Sequence, residues 1–339
     1  MIKTIQLKTP YLLYIGDVPD DHHAKTGHGI AHWRPKKCAG QMRLDGCPVD
    51  IGLPDLDVAG AIDAGVGTAI IGVAFSGGIL SDSWLPSLCE LARAGIDIAA
   101  GTHQKLQDNE ALREAARVGG AKLIDVRVPP ADIEVGSGIK RSGKRVLMVG
   151  TDCAVGKKYS ALALHRELDT RGVDVDFRAT GQTGILIAGE GMPMDAVVVD
   201  FASGAAELLS PDNADDHWDV IEGQGSLLHP GYAGVSLALL HGSQPDAIVV
   251  CHRAGADLLD GMEVEIPPLG EVAESALSLA SITNANCVWA GISLDTSALG
   301  DEERRGYLAD LSGKYGVPCV DPIATGMANI ADFLLENIK

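Results

Sequence analysis

Residues 145–160 read RVLMVGTDCAVGKKYS, and the fold follows from this stretch. Val146, Leu147, Met148 and Val149 make an unbroken apolar run, the pattern of a strand buried on both faces of a parallel sheet. Gly150 and Gly156 bracket a loop closed by Lys157, and the helical sequence SALALHRELDTRG follows. The order is strand, phosphate loop, helix. In such a loop the main-chain N–H groups and the helix N-terminus hold an anion, and Lys157 adds side-chain charge. The candidate phosphate-binding residues are therefore Gly150, Thr151, Asp152, Cys153, Ala154, Val155, Gly156, Lys157 and Lys158, with Tyr159 beside them.

Two departures from the common nucleotide loop bear on chemistry. Five residues separate Gly150 from Gly156, where the standard pattern has four. Lys158 stands where a Ser or Thr hydroxyl normally binds Mg²⁺. A second ammonium suits a metal-free polyphosphate, so no metal is expected. Cys153 reads as a small residue filling the loop interior.

GTDCAVGK resembles the GTDxxVGK loop of dethiobiotin synthetase and of the cobyrinic acid amidase group. Gln182-Thr183-Gly184 follows in the same order, and Glu222-Gly223-Gln224-Gly225 is similar to the EGAGG of dethiobiotin synthetase. Gln182 and Thr183, in the loop after a strand, are candidates to approach the phosphates or the acyl group, or are turn residues; by the resemblance Arg253 and Asp321 lie toward the nucleotide end of a cofactor, with ordinary surface loops as the alternative, and Glu222 aligns with a functional acid.

With 339 residues, 46% of them hydrophobic, the chain can bury one or two cores. Alternating strand and helix patterns make it α/β, with two domains: a Rossmann-like parallel sheet over 1–132, a linker over 133–144 and a P-loop NTPase-like parallel sheet over 145–339. A formal charge of −19 argues against nucleic acid or an anionic membrane as partner. An anionic ligand then needs a local positive pocket, for which Lys144, Arg145, Lys157 and Lys158 are the candidates. The start lacks a signal peptide's apolar core, no 18-residue apolar run occurs, and the seven cysteines are scattered, so a soluble cytoplasmic protein with reduced thiols is expected. A homo-oligomer is expected on general grounds.

Along the first domain, YLLYIGD, VDIGL, TAIIGVA, IDIAAGT and AKLIDVRV read as strands. No G-x-G-x-x-G follows the first of them, so a nicotinamide cofactor is not indicated. Ser76-Gly77-Gly78 is a secondary anion-site candidate or an ordinary tight turn. The segment with His22, His23, His28 and His32 reads as a polar loop rather than a metal site, and Lys25 and Arg34 in it either hold a carboxylated substrate or simply solvate a surface loop. In the second domain DAVVVD reads as a strand ending at Asp200, and WDVIE as one ending at Glu222. A carboxylate at such a strand end is where a general base would sit. Glu222 is the first choice, with Asp200 and His229 as alternates.

SGGILSDSW, AGIDIAAGTHQKLQD, GTDCAVGKK, ATGQTG and EGQGSLLHPGY together resemble a family long known only as a domain of unknown function, whose characterised members are D-glutamate N-acetyltransferases. The resemblance implies acetyl-CoA as co-substrate and an amino acid, D-glutamate, as acceptor in D-amino-acid catabolism. The alternatives are an ATP-dependent carboxylate ligase of the dethiobiotin synthetase type and a non-catalytic nucleotide sensor.

Overall fold

The computed structural model describes residues 5–21, 23–73, 80–102 and 104–338. Ser76-Gly77-Gly78 and His22 lie outside them. In chain order the strands and helices are β1 Ile5–Gln6, β2 Tyr11–Gly16, α1 Lys25–Trp33, β3 Cys38–Arg43, α2 Val58–Asp63, β4 Thr68–Ile71, α3 Leu85–Arg93, β5 Asp97–Ala100, α4 Glu110–Gly119 and β6 Leu123–Asp125. There follow β7 Lys144–Gly150, α5 Lys157–Thr170, β8 Val175–Arg178, α6 Gln182–Ala188, β9 Glu190–Gly191, α7 Ala202–Leu209 and β10 Trp218–Ile221. The last are α8 Ala233–Ser243, β11 Ala247–Arg253, α9 Leu269–Ala280, β12 Val288–Asp295, α10 Asp301–Tyr315, β13 Cys319–Val320 and α11 Ala328–Asn337.

The chain forms two compact units. The first runs through Pro130 and takes in Gln182–Ala196; the second holds Ala131–Gly181 and Val197 to the C-terminus. Assigning everything after residue 145 to the second domain thus misplaces 182–196. The reason is packing: α6 buries Gly184, Ile185, Leu186 and Ile187 in the first unit, and β9 pairs antiparallel with β1.

The first unit's sheet is parallel, ordered β3-β2-β4-β5-β6. Tyr11 to Ile15 are fully buried, as a strand covered on both faces requires. Two sequence expectations fail here. VDIGL is not a strand; its Asp50 accepts from the Gln41 side chain at 2.8 Å, and the Ile51 N–H donates back to Gln41 at 2.9 Å. The pairing strand is instead β3, whose Gly40 and Gln41 break the apolar pattern. The histidine segment is helix α1 rather than loop, because Thr26, Gly27, Gly29, Ile30 and Trp33 recur on one buried face. His23 and His28 sit on separate carboxylates, Asp20 at 2.6 Å and Asp21 at 2.9 Å.

The second unit's sheet has six parallel strands in the order β13-β12-β11-β7-β10-β8. β7 is central, and Val146, Leu147 and Met148 are buried as their unbroken apolar run demands. On one face Val250, Leu269, Val272, Ala273, Ile292, Leu294 and Leu308 close a core. DAVVVD is not a strand: 194–196 and 199–201 are short 3₁₀ turns, with Val198 and Val199 64% and 71% exposed. Among the described residues the sheet ends at β8, and this solvent-facing run has no apolar face to pack into it. No helix among the described residues is long and apolar enough to cross a membrane.

Candidate functional site

The loop between β7 and α5 lies at the carboxyl edge of the second sheet, where open α/β sheets bind ligands. Gly156 has φ +96°, a backbone angle that L side chains rarely adopt, and it turns the chain into α5. The next residue, Lys157, is only 7% exposed and donates from Nζ to the Asp152 carbonyl at 2.6 Å. Burial holds this ammonium below the usual lysine range, against the pull of Cys251, Cys153, Asp152 and Glu222. The cation recognised in the motif is therefore an enclosed one.

The neighbouring loop residues are tied down one by one. Thr151 donates its N–H to the Cys251 carbonyl at 3.0 Å, and its hydroxyl lies 2.9 Å from His252 Nδ1. Asp152 accepts from the Cys153 N–H at 2.5 Å with Oδ1 and from the Asp260 N–H at 2.7 Å with Oδ2. Ala154 adopts a left-handed φ of +51°, and Arg253 reaches its carbonyl at 2.8 Å. Val155 is buried. The Lys158 ammonium rests 4.7 Å from the centroid of the half-exposed Tyr159 ring. Burial pushes the Cys153 thiol above its ordinary range, as suits a filler better than a nucleophile.

Glu222 follows β10 and is 4% exposed. Its Oε2 accepts from the Thr180 N–H at 2.9 Å and the Gly181 N–H at 3.1 Å, latching the turn after β8 to the end of β10. Burial raises its carboxyl above the ordinary glutamate range, more than the Thr180 N–H, Lys158, the Gly181 N–H and Lys157 lower it. Beside it, Gly223 is obligatory. A methyl there would lie 1.6 Å from the Met148 carbonyl oxygen and 3.0 Å from Lys157 Cδ.

His229 is buried with Nε2 3.6 Å from Asp152 Oδ1. Its Nδ1 accepts the Gly231 N–H at 3.0 Å, so the neutral ring carries its proton on Nε2, facing Asp152. Asp152, Cys153 and His229 cluster closely enough for a metal ion, but that tautomer presents a proton rather than a lone pair to it.

Of the residues singled out in the sequence, the structure brings together the whole Gly150–Lys158 loop, Glu222, His229 and Arg253. Asp200 is elsewhere, exposed in the turn before α7. Gln182 belongs to the first unit, where its side-chain oxygen accepts from Arg127 Nε at 2.5 Å, and Arg127 also reaches the Gly101 carbonyl at 3.0 Å. Asp321 is consumed by its own turn, accepting from Thr296, Ile323 and Ala324; burial alone would raise its carboxyl, but these bonds hold it low. Arg145 and Lys144 are not part of the loop's positive pocket. They begin β7 at the opposite edge, where Arg145 is 1% exposed and its guanidinium serves Ser210 and the carbonyls of Arg141, Ser142 and Gly143. Among the described residues the cations at the loop are Lys157, Lys158 and Arg253.

His252 was missed. It is the penultimate residue of β11, next to the loop, one past the Cys251 to Gly150 register pair, and burial holds its imidazole below the usual histidine range. It is the first polar residue after the apolar run Ala247–Cys251, as Glu222 is after Val220 and Ile221.

Comparison with known proteins gives a consistent picture. Residues 134–331 match the profile described as a domain of unknown function, DUF1611_C P-loop domain, and 37–129 match the DUF1611_N Rossmann-like domain. A protein of Tritonibacter scottomollicae named D-glutamate N-acetyltransferase is 47% identical over 97% of this chain and 99% of its own. Another so named, from a Pseudoalteromonas species, is 44% identical over 96% of this chain and 98% of its own. The crystal structure of a DUF1611 family protein from Anabaena variabilis superimposes with a TM-score of 0.80 at 31% identity, covering 97% of this chain and all of the other.

Proposed function

The chain belongs to the DUF1611 family and is an acyltransferase, and we propose that it moves the acetyl group of acetyl-CoA to the amino group of D-glutamate. The observation that carries this reading is likeness over nearly the full length to two proteins named for that transfer. The site supports it. A loop of main-chain N–H groups with Lys157, Lys158 and Arg253 around it can hold a phosphate group of CoA within an acidic chain.

The transfer needs a proton acceptor, because the substrate amine is an ammonium at neutral pH and attacks the thioester carbon only once deprotonated. The amine nitrogen then bonds to the acyl carbon, the carbon–sulfur bond breaks, and CoA leaves as thiolate or thiol. Of the three candidate bases, Asp200 stands apart on an exposed turn, and the His229 Nδ1 lone pair already accepts the Gly231 N–H. Glu222 is the proposed base. Its Oε2 is fixed by two N–H groups, which leaves Oε1, and its raised carboxyl brings basicity toward neutral pH.

Titration calorimetry tests the donor assignment. Acetyl-CoA should bind in the micromolar range or tighter and ATP more weakly, whereas tight Mg·ATP binding without acetyl-CoA binding would favour a ligase. Glu222→Gln should lower kcat by about 10²- to 10⁴-fold with acetyl-CoA affinity nearly unchanged. Normal turnover in that variant would remove Glu222 as base.

A further inference from the structure

P-loop folds that act on nucleotides place Mg²⁺ between the hydroxyl following the loop lysine and a carboxylate from a neighbouring strand. The residues here do not fit that ion. Position 158 is lysine, and the hydroxyls nearby are engaged, Thr151 with His252 and Ser160 with the Gly156 carbonyl at 3.0 Å. Both Asp152 oxygens accept main-chain N–H groups, and Glu222 Oε2 accepts two. Mg²⁺ demands near-octahedral oxygen ligation, and with both Asp152 oxygens and Glu222 Oε2 bonded to main-chain N–H groups and no hydroxyl at position 158, the set falls short of it.

The residue that follows the loop lysine is here a second ammonium. Lys158 is the second residue of α5, and its Nζ sits on the Tyr159 ring, whose face attracts a cation and limits where the long side chain can wander. We propose that Lys158, seated on Tyr159, is a built-in counter-cation that replaces Mg²⁺, so that this loop binds its phosphate ligand without any divalent metal. The inference deepens the acetyl-CoA reading and rests on it for the identity of the ligand. Glu222, across the site, is attracted to the same ammonium. The substitution makes chemical sense for a phosphate ester that is held and not transferred. A fixed monovalent charge anchors the ligand, while the bridging geometry that activates a γ-phosphate is lost.

The test is titration calorimetry of the full-length protein, Lys158→Ser and Lys158→Arg, each with acetyl-CoA and with ADP, in EDTA and again in Mg²⁺. Wild type should bind acetyl-CoA with constants equal within about twofold in the two buffers. Lys158→Ser should lose about tenfold or more in EDTA and recover part of that loss in Mg²⁺, while Lys158→Arg retains metal-free binding, which separates charge from misfolding. Wild-type binding that weakens about tenfold in EDTA, or a serine variant as tight as wild type in EDTA, overturns the proposal. If acetyl-CoA binds in neither buffer, the acetyl-CoA reading fails on its own. Equal ADP binding in both buffers then still supports the counter-cation, and ADP binding that requires Mg²⁺, or no ADP binding, refutes it.

Discussion

Lys157 shows how burial changes the meaning of a residue recognised from its motif. The motif identifies a phosphate-binding cation, and the structure adds that the ammonium is enclosed and bonded to the Asp152 carbonyl at 2.6 Å. Replacement by Met, which preserves much of the volume, should therefore weaken acetyl-CoA by roughly tenfold to a hundredfold, the equivalent of about 1.5 to 3 kcal/mol for a charge-assisted contact. Calorimetry on a variant with an unchanged circular dichroism spectrum checks this, and unchanged affinity would remove the loop from ligand binding. Glu222 gives a pH-dependent counterpart. Its folded carboxyl titrates above the ordinary value of 4.5, so the fold favours the neutral form. That contribution is present below about 4.5 and is lost as pH rises through the folded value. Glu222→Gln, neutral throughout, should gain stability relative to wild type as pH climbs from about 4.5 through the folded value, and level off above it; denaturation curves with a constant difference at every pH would contradict it. Both residues were legible from position, but their burial and partners were not, because these depend on Thr180, Gly181 and Asp152 main-chain atoms that no side-chain pattern reveals.

Secondary-structure elements were legible where periodicity is strong and misread where the chain makes its own local bonds. The Val146–Val149 run could only be a central strand, and the turn chemistry of Asn109 and Gly120 bounds α4, where Asn109 accepts the Leu112 N–H at 3.0 Å and Gly120 takes φ +70°. VDIGL failed because Gln41 satisfies it without a ladder, and DAVVVD failed because its valines face solvent. Helix α1 was hidden by its histidines, although the buried spacing of Thr26, Ile30 and Trp33 was present. Contact between β7 and the turn after β10 is the tightest such juncture at the site. Gly223→Ala would push a methyl to 1.6 Å from the Met148 carbonyl oxygen, costing about 3 kcal/mol. Urea denaturation would register that loss, and a variant as stable as wild type would mean that the strands can part there freely.

At the scale of the whole molecule, the chain leaves its second unit after Gly181 and returns at Val197. The excursion was invisible in sequence, since GILIA reads as a buried helix segment whichever core receives it. It predicts that residues 131–339 expressed alone expose Ile185, Leu186 and Ile187, all buried in the intact chain, and form aggregates by size-exclusion chromatography; a monodisperse, cooperatively folding fragment would contradict this. The acidic charge of −19 leaves the anion-binding burden to the loop, where Lys157, Lys158 and Arg253 gather. The proposed acetyl transfer to D-glutamate is tested by thiol release from acetyl-CoA by the purified protein in EDTA, without ATP, with the products separated by chiral chromatography. Release that depends on D-glutamate and matches the N-acetyl-D-glutamate formed is the predicted result, and no release with D-glutamate, or product formation only when ATP is supplied and consumed, would contradict it.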